Sequence, residues 1–124
     1  KLDINLDTVA GDDSLTPLIS DFPELEGFVA NSAALADVPV ATYLPLMPNS
    51  DHANFAAHGI PAMRLLAGFD KPESRVNNIL SPGDVPSVVK ESELRQAVKV
   101  TCAMAWHGLT MSGPELDAMQ RRTA

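Results

Sequence analysis

Leu2, Ile4 and Leu6 alternate with Asp3, Asn5 and Asp7 at the start of the chain, a period of two that predicts a β-strand whose last residue, Asp7, stands at its C-terminal edge. Gly11 to Pro17 reads as a polar loop, with Asp12 and Asp13 as solvated turn or cap residues. From Ser20 or Asp21 the apolar spacing becomes helical: Phe22, Leu25, Val29, Ala33 and Ala36 recur on one face, Pro23 and Glu24 suit a first turn, and Asp37 and Pro39 end the run. Val40 to Met47 predicts a second apolar strand, which Pro45 weakens or confines to an edge, with Tyr43 packing inside it. Asn49 or Ser50 then caps a short helix through Asp51, His52 and Phe55 that ends near Gly59.

Ile60 to Ala67 is apolar throughout except for Arg64, as expected of a strand covered on both faces. Gly68 to Pro86 lacks periodicity and is rich in Gly, Pro, Asn and Asp, which predicts a long loop. A last helix is expected from about Ser92 to Met111, with Leu94, Val98, Thr101, Cys102, Ala105 and Leu109 as its core-facing stripe and Trp106 on the flank. Residues 115 to 124 are polar and read as a short amphipathic turn or a frayed tail. The order is β-α-β-α-β-α, which predicts an α/β layered fold.

Composition narrows the partners more than the fold. Sixteen acids against nine bases give 124 residues a net charge of -7, and the bases are scattered, so nucleic acid and anionic membrane surfaces are poor partners. A hydrophobic content of 45% with 20% charged residues is ordinary for a globular chain. The single cysteine, Cys102, rules out an internal disulfide and a cysteine zinc cage, and its place in the predicted stripe makes it inert core. No apolar run approaches a membrane span and no signal-peptide pattern opens the chain. The absence of an initiator Met and the uncapped opening strand read as the back part of a longer polypeptide.

Candidate chemistry falls first on the three histidines. His107 lies roughly opposite the predicted stripe and reads as a surface residue. His58 follows His52 by six residues, about 240° round a helix, so the two cannot share an ion on one helical face, and His58 suits the negative end of its helix. His52 opens a helix directly after a predicted strand, in the run Ser50-Asp51-His52-Ala53-Asn54-Phe55. Local chemistry leaves three roles open for it: metal ligand, satisfied structural histidine, or general base. Asp7 is likewise either a cap or a ligand. No Gly-x-Ser-x-Gly elbow, dinucleotide fingerprint or P-loop spacing occurs.

Read together, Asn5-Leu6-Asp7-Thr8-Val9-Ala10-Gly11, then Ser50-Asp51-His52-Ala53-Asn54-Phe55, then Gly59-Ile60-Pro61-Ala62 resemble, in order and spacing, the C-terminal half of the M28 family of co-catalytic zinc aminopeptidases. The resemblance covers nearly the whole chain. It implies a partial three-layer α/β/α sandwich of the zinc-exopeptidase type, with residues 1–113 as the C-terminal portion of a catalytic domain and 114–124 as a tail. It implies that Asp7 binds one zinc of a pair and His52 the other, with Asp51, Ser50 and Thr8 as their neighbours in the surrounding loops. Leu80-Ser81-Pro82-Gly83-Asp84 stands where the family often has a His-Thr-Pro loop. The remaining ligands and the general-base Glu would lie upstream, so no catalytic residue is assigned within this chain.

The same resemblance implies a peptide substrate, two zinc ions in the complete enzyme, and a periplasmic or secreted location. The missing N-terminal half of the same domain is the implied partner, and the 124 residues alone are expected to be inactive, without tightly held zinc, and prone to self-association. The competing reading is a peptidase-like domain that keeps the architecture and serves as a binding module.

Overall fold

The computed structural model describes residues 1–121. It is a mixed α/β fold with a three-stranded sheet and four helices among the described residues. β1 (Asp3–Leu6) lies parallel to β3 (Ala62–Ala67), and β2 (Leu15–Leu18) lies antiparallel on the other side of β3, giving the order β1-β3-β2. The helices are α1 (Glu24–Ala36), α2 (His52–Ala57), α3 (Glu91–Thr110) and α4 (Gly113–Met119). The element order therefore opens on two strands and is not the expected strict alternation.

Two corrections share one physical cause. The stretch expected to be a polar loop contains β2, because Leu15, Pro17 and Leu18 are all buried against β3. The stretch expected to be a strand, Val40 to Met47, has none, and touches the sheet through a single bridge between Tyr43 and Leu18. At that bridge the Tyr43 N–H donates to the Pro17 carbonyl at 3.0 Å and the Ile19 N–H to the Tyr43 carbonyl at 2.9 Å, and beyond it the Leu44 carbonyl accepts from the Asp21 N–H at 2.6 Å without extending the ladder. Pro39, Pro45 and Pro48 remove the donors a longer ladder would need. Hydrophobic content marked this segment; backbone hydrogen-bonding capacity decided it.

β3 is the spine, buried from Ala62 to Leu65 and again at Ala67. Its odd positions, Met63, Leu65 and Ala67, join Phe22, Leu25 and Val29 of the α1 region and Val100 and Met104 of α3 in one core. Arg64 alternates with these, in register with Asn5 of β1 and Leu18 of β2, so it stands on the opposite face of the sheet. α1 starts at Glu24, later than expected, because Ser20 and Asp21 both have left-handed backbones, φ 57° and 62°. Glu24 and Glu26 then complement its N-terminal dipole.

α3 reverses its predicted orientation. Glu93, Ala97, Val100, Ala103 and Met104 face inward, whereas Leu94 is 45%, Val98 60% and Leu109 84% exposed, and Cys102 and Ala105 are exposed with them. Cys102 is thus a surface thiol, not core. The inward face packs on α1 and mixes the small Ala97 and Ala103 with the larger Val100 and Met104, and it brings in His107, expected at the surface. That ring stacks on Phe28 at 4.4 Å with 10° between planes, and its Nδ1 lies 3.2 Å from Ser32 Oγ. Glu93 is accommodated because Arg75 pairs with it and the Lys90 N–H donates to its carboxylate at 2.9 Å.

Two short 3-10 turns, Arg75–Asn78 and Pro86–Val88, punctuate the expected long loop. Asp12 anchors it, accepting from Ser14 N (2.9 Å), Ser14 Oγ (2.8 Å) and Lys71 Nζ (3.2 Å), and it is a turn residue as expected but not a solvated one. α4 is capped by Ser112 and Glu115 and buries Met119, after which the Arg121 guanidinium sits over the Phe22 ring at 4.2 Å. The last three positions of the expected tail lie outside the described residues.

Candidate functional site

The polar half of the opening alternation is tied into the fold, although nearly half of the Asp7 side chain remains exposed. Asn5 and Asp7 share one side of the β1 segment, and both meet the entry to α2: Asn5 Nδ2 donates to Ser50 Oγ at 2.8 Å, and Ser50 Oγ donates to Asp7 Oδ2 at 2.6 Å. One hydroxyl therefore joins strand and helix across 43 residues of sequence. Asp3, on the same side, has one carboxylate oxygen buried with no hydrogen-bond partner, and burial, reinforced by the Asp51 carboxylate, pushes its proton affinity up.

Asp7 is kept ionised. The Ser50 hydroxyl is the largest influence holding its carboxyl below the ordinary carboxylate range, with Arg64, Thr8 and His52 acting the same way against partial burial. Thr8 Oγ1 donates to the second oxygen, Oδ1, at 3.4 Å. Thr8 itself has φ 63°, a left-handed conformation that costs a β-branched residue about 1–3 kcal/mol. The chain thus bends sharply as it leaves β1, turning Asp7 at the sheet's C-terminal edge.

His52 falls in the first turn of α2, as expected, and is fully buried with neither Nδ1 nor Nε2 hydrogen-bonded. Burial lowers its proton affinity, and Arg64 adds to this, while the Met47 carbonyl and the Asp7 and Asp51 carboxylates pull the other way. Met47 nevertheless lies outside hydrogen-bonding geometry. An ion would take the unprotonated nitrogen of such a ring, and the N–H on the other would still call for an acceptor, because buried polar groups otherwise find partners. His58, by contrast, is exposed and turns its Nδ1 to the Asn54 carbonyl at 2.8 Å, at the negative end of α2 as expected.

Asp7, Ser50, Asp51, His52 and Thr8 are therefore brought to one region. Among the described residues no group of three His, Cys, Asp or Glu side chains stands close enough to hold an ion by itself. Arg64 is the functional-looking residue that periodicity passed over, although a lone charge in an apolar strand was its signal. The loop Leu80-Ser81-Pro82-Gly83-Asp84 is exposed, with Leu80 N–H donating to Asp84 Oδ2 at 3.1 Å. Between it and Thr8 lies an open groove of about 290 Å³ lined by Val9, Val76, Ile79 and Val88. A cavity of about 590 Å³ beside Asp13, Asp37, Arg95 and Gln96 shares no lining residue with the Asp7 and His52 edge.

No family model, curated protein or solved structure gives a match to this chain. No helix among the described residues is long and apolar enough to cross a membrane.

Proposed function

We propose that this chain is the C-terminal part of a zinc-dependent exopeptidase, an aminopeptidase that removes N-terminal residues from peptides, in a partial three-layer α/β/α domain. The observation that carries the reading is the Ser50 hydroxyl joining Asp7 to the helix start that bears His52, a buried imidazole with both nitrogens unbonded. Asp7 would hold one zinc ion and His52 the other. Zinc supplies Lewis-acid activation of a water and of the peptide carbonyl it attacks. Within this chain, Ser50 and Thr8 hold the Asp7 carboxylate ionised and oriented, and burial keeps the His52 ring neutral, the form a ligand needs. The groove beside Thr8 is lined mainly by apolar side chains and suits an apolar residue of a peptide substrate. The proton transfer is assigned to a Glu contributed by the other half of the domain, not to any residue here.

His52→Ala in the full-length protein is expected to lower peptidase turnover by more than about a hundredfold and to remove one of two zinc ions, read by initial rates and elemental analysis. Full activity with both ions retained would overturn the assignment. A second reading, a peptidase-like binding domain, is favoured by one observation: Arg64 places a guanidinium 3.7 Å from Asp7 Oδ2, where a cation already offsets the carboxylate. Wild-type protein that binds peptide without zinc and without turnover would select it.

A further inference from the structure

Arg64 is the one charged side chain within the buried central strand, and its hydrogen bonds go to a single turn. Nε donates to the backbone carbonyl of Asp7 at 3.3 Å, and Nη2 donates to Thr8 Oγ1 at 3.3 Å while lying 3.7 Å from Asp7 Oδ2. On the other side of that turn the Ala67 N–H donates to the Thr8 carbonyl at 2.7 Å. Both clamps come from β3, and they close on the one place where the backbone leaves β1 through a left-handed threonine. A strained conformation persists only where its surroundings over-determine it. A buried guanidinium is costly unless its donors are used. Here each problem answers the other.

The planar fork matters. Reaching a backbone carbonyl with Nε and a hydroxyl with Nη2 at once takes two donors in fixed relative geometry, which a lysine ammonium does not provide. Ser50 sets the carboxylate from the α2 side, and Arg64 sets the backbone beneath it from the β3 side. We propose that Arg64 is the positioning residue of this site: it clamps the Asp7–Thr8 turn and so aims the Asp7 carboxylate over the sheet edge, without itself touching substrate. The consequence for the metal rests on the reading of Asp7 given above, whereas the clamp does not.

The test compares wild type with Arg64→Met and Arg64→Lys by two readouts. In the protein without added metal, amide hydrogen exchange at Ala67 is expected to quicken at least about tenfold in Arg64→Met, while Leu65 in the same strand keeps its protection. Unchanged Ala67 exchange, or equal loss along all of β3, overturns the clamp. In the full-length protein loaded with cobalt(II), both variants are expected to shift the visible ligand-field bands and to weaken the ion assigned to Asp7 about tenfold. A wild-type spectrum and affinity in Arg64→Met, or their full restoration by Arg64→Lys, would mean that charge or nothing at all is at work, and would overturn the positioning role. Should Arg64→Met not fold, Thr8→Val removes only the shared hydroxyl and is expected to move Ala67 exchange in the same direction by a smaller factor; no movement overturns the clamp. If wild type binds no cobalt, the metal assignment of Asp7 falls while the exchange result still decides the clamp.

Discussion

The edge formed by Asn5, Asp7, Arg64, Ser50 and His52 and the outer face of α3 invert the usual rule in opposite senses. At the first, a histidine and an arginine are buried while leucines stand on the surface elsewhere; at the second, Leu94, Val98 and Leu109 face solvent while Glu93 on the same helix is covered. Each inversion has a part that is satisfied and a part that is not. Arg64 and Glu93 use their hydrogen-bonding groups on Asp7, Thr8, Arg75 and Lys90, so their burial is accounted for by polar contacts. His52 keeps two bare nitrogens, and the α3 stripe keeps its apolar surface. Satisfied inversions hold the fold together; unsatisfied ones are where the molecule has bonding capacity to spare.

The largest effect that would break this comparison comes from α3 itself. Met104 is fully buried on the inward face and Leu109 is nearly fully exposed on the outer one. Met104→Ala is expected to destabilise by about 2–5 kcal/mol, and Leu109→Ala by less than about 0.5 kcal/mol, in urea unfolding of matched samples. Similar losses, or the reverse order, would put the predicted stripe back in the core and reverse the orientation of the helix.

That helix also shows which features of the fold are written locally and which are not. Its limits were legible to within one or two residues, because first-turn Glu and the Gly-Pro pair mark helix boundaries locally, although the cap is Lys90 and the expected cap, Ser92, lies inside the helix. Its orientation was not, because periodicity ranks faces by hydrophobicity, while packing against α1 selected the face of Ala97, Val100, Ala103 and Met104 with a stacked histidine. The strand from Ala62 to Ala67 was legible from its apolar run, whereas β2 is four residues with a proline inside, too short to carry a pattern. At the site, the pairing of strand end with helix start was legible from order and spacing. What stayed hidden was the wiring: that Ser50 is the link, that Thr8 is left-handed, and that Arg64 reaches across from β3, since hydrogen bonds over 43 and 57 residues leave no local trace.

A smaller effect sharpens the polar side of the comparison. Ser50→Ala removes the hydroxyl that both accepts from Asn5 and donates to Asp7, leaving two part-buried groups without their partner. A loss of about 1–2 kcal/mol is expected in the same unfolding assay. An effect below about 0.5 kcal/mol would show that water replaces the link at no cost, and that the edge is held by the Arg64 clamp alone.

The mildest probe concerns the unsatisfied histidine. Burial lowers the proton affinity of His52 in the native state, whereas in the unfolded chain the ring takes up a proton near the ordinary value of about 6.5. Where pH is well above about 6.5 both states hold the neutral ring and His52 imposes no penalty. As pH falls through that value the unfolded state binds a proton that the native state refuses, so stability drops until the depressed native value is reached. One proton limits the slope to at most about 1.4 kcal/mol per pH unit. His52→Gln lacks that titration, so the stability difference between wild type and variant is expected to move against wild type from about pH 7 to about pH 5. Parallel pH curves would mean that the acids at Asp7 and Asp51 and the Met47 carbonyl compensate the ring's burial in full. In that case the imidazole would already be satisfied electrostatically, and its two bare nitrogens would no longer distinguish it from the paired residues around it.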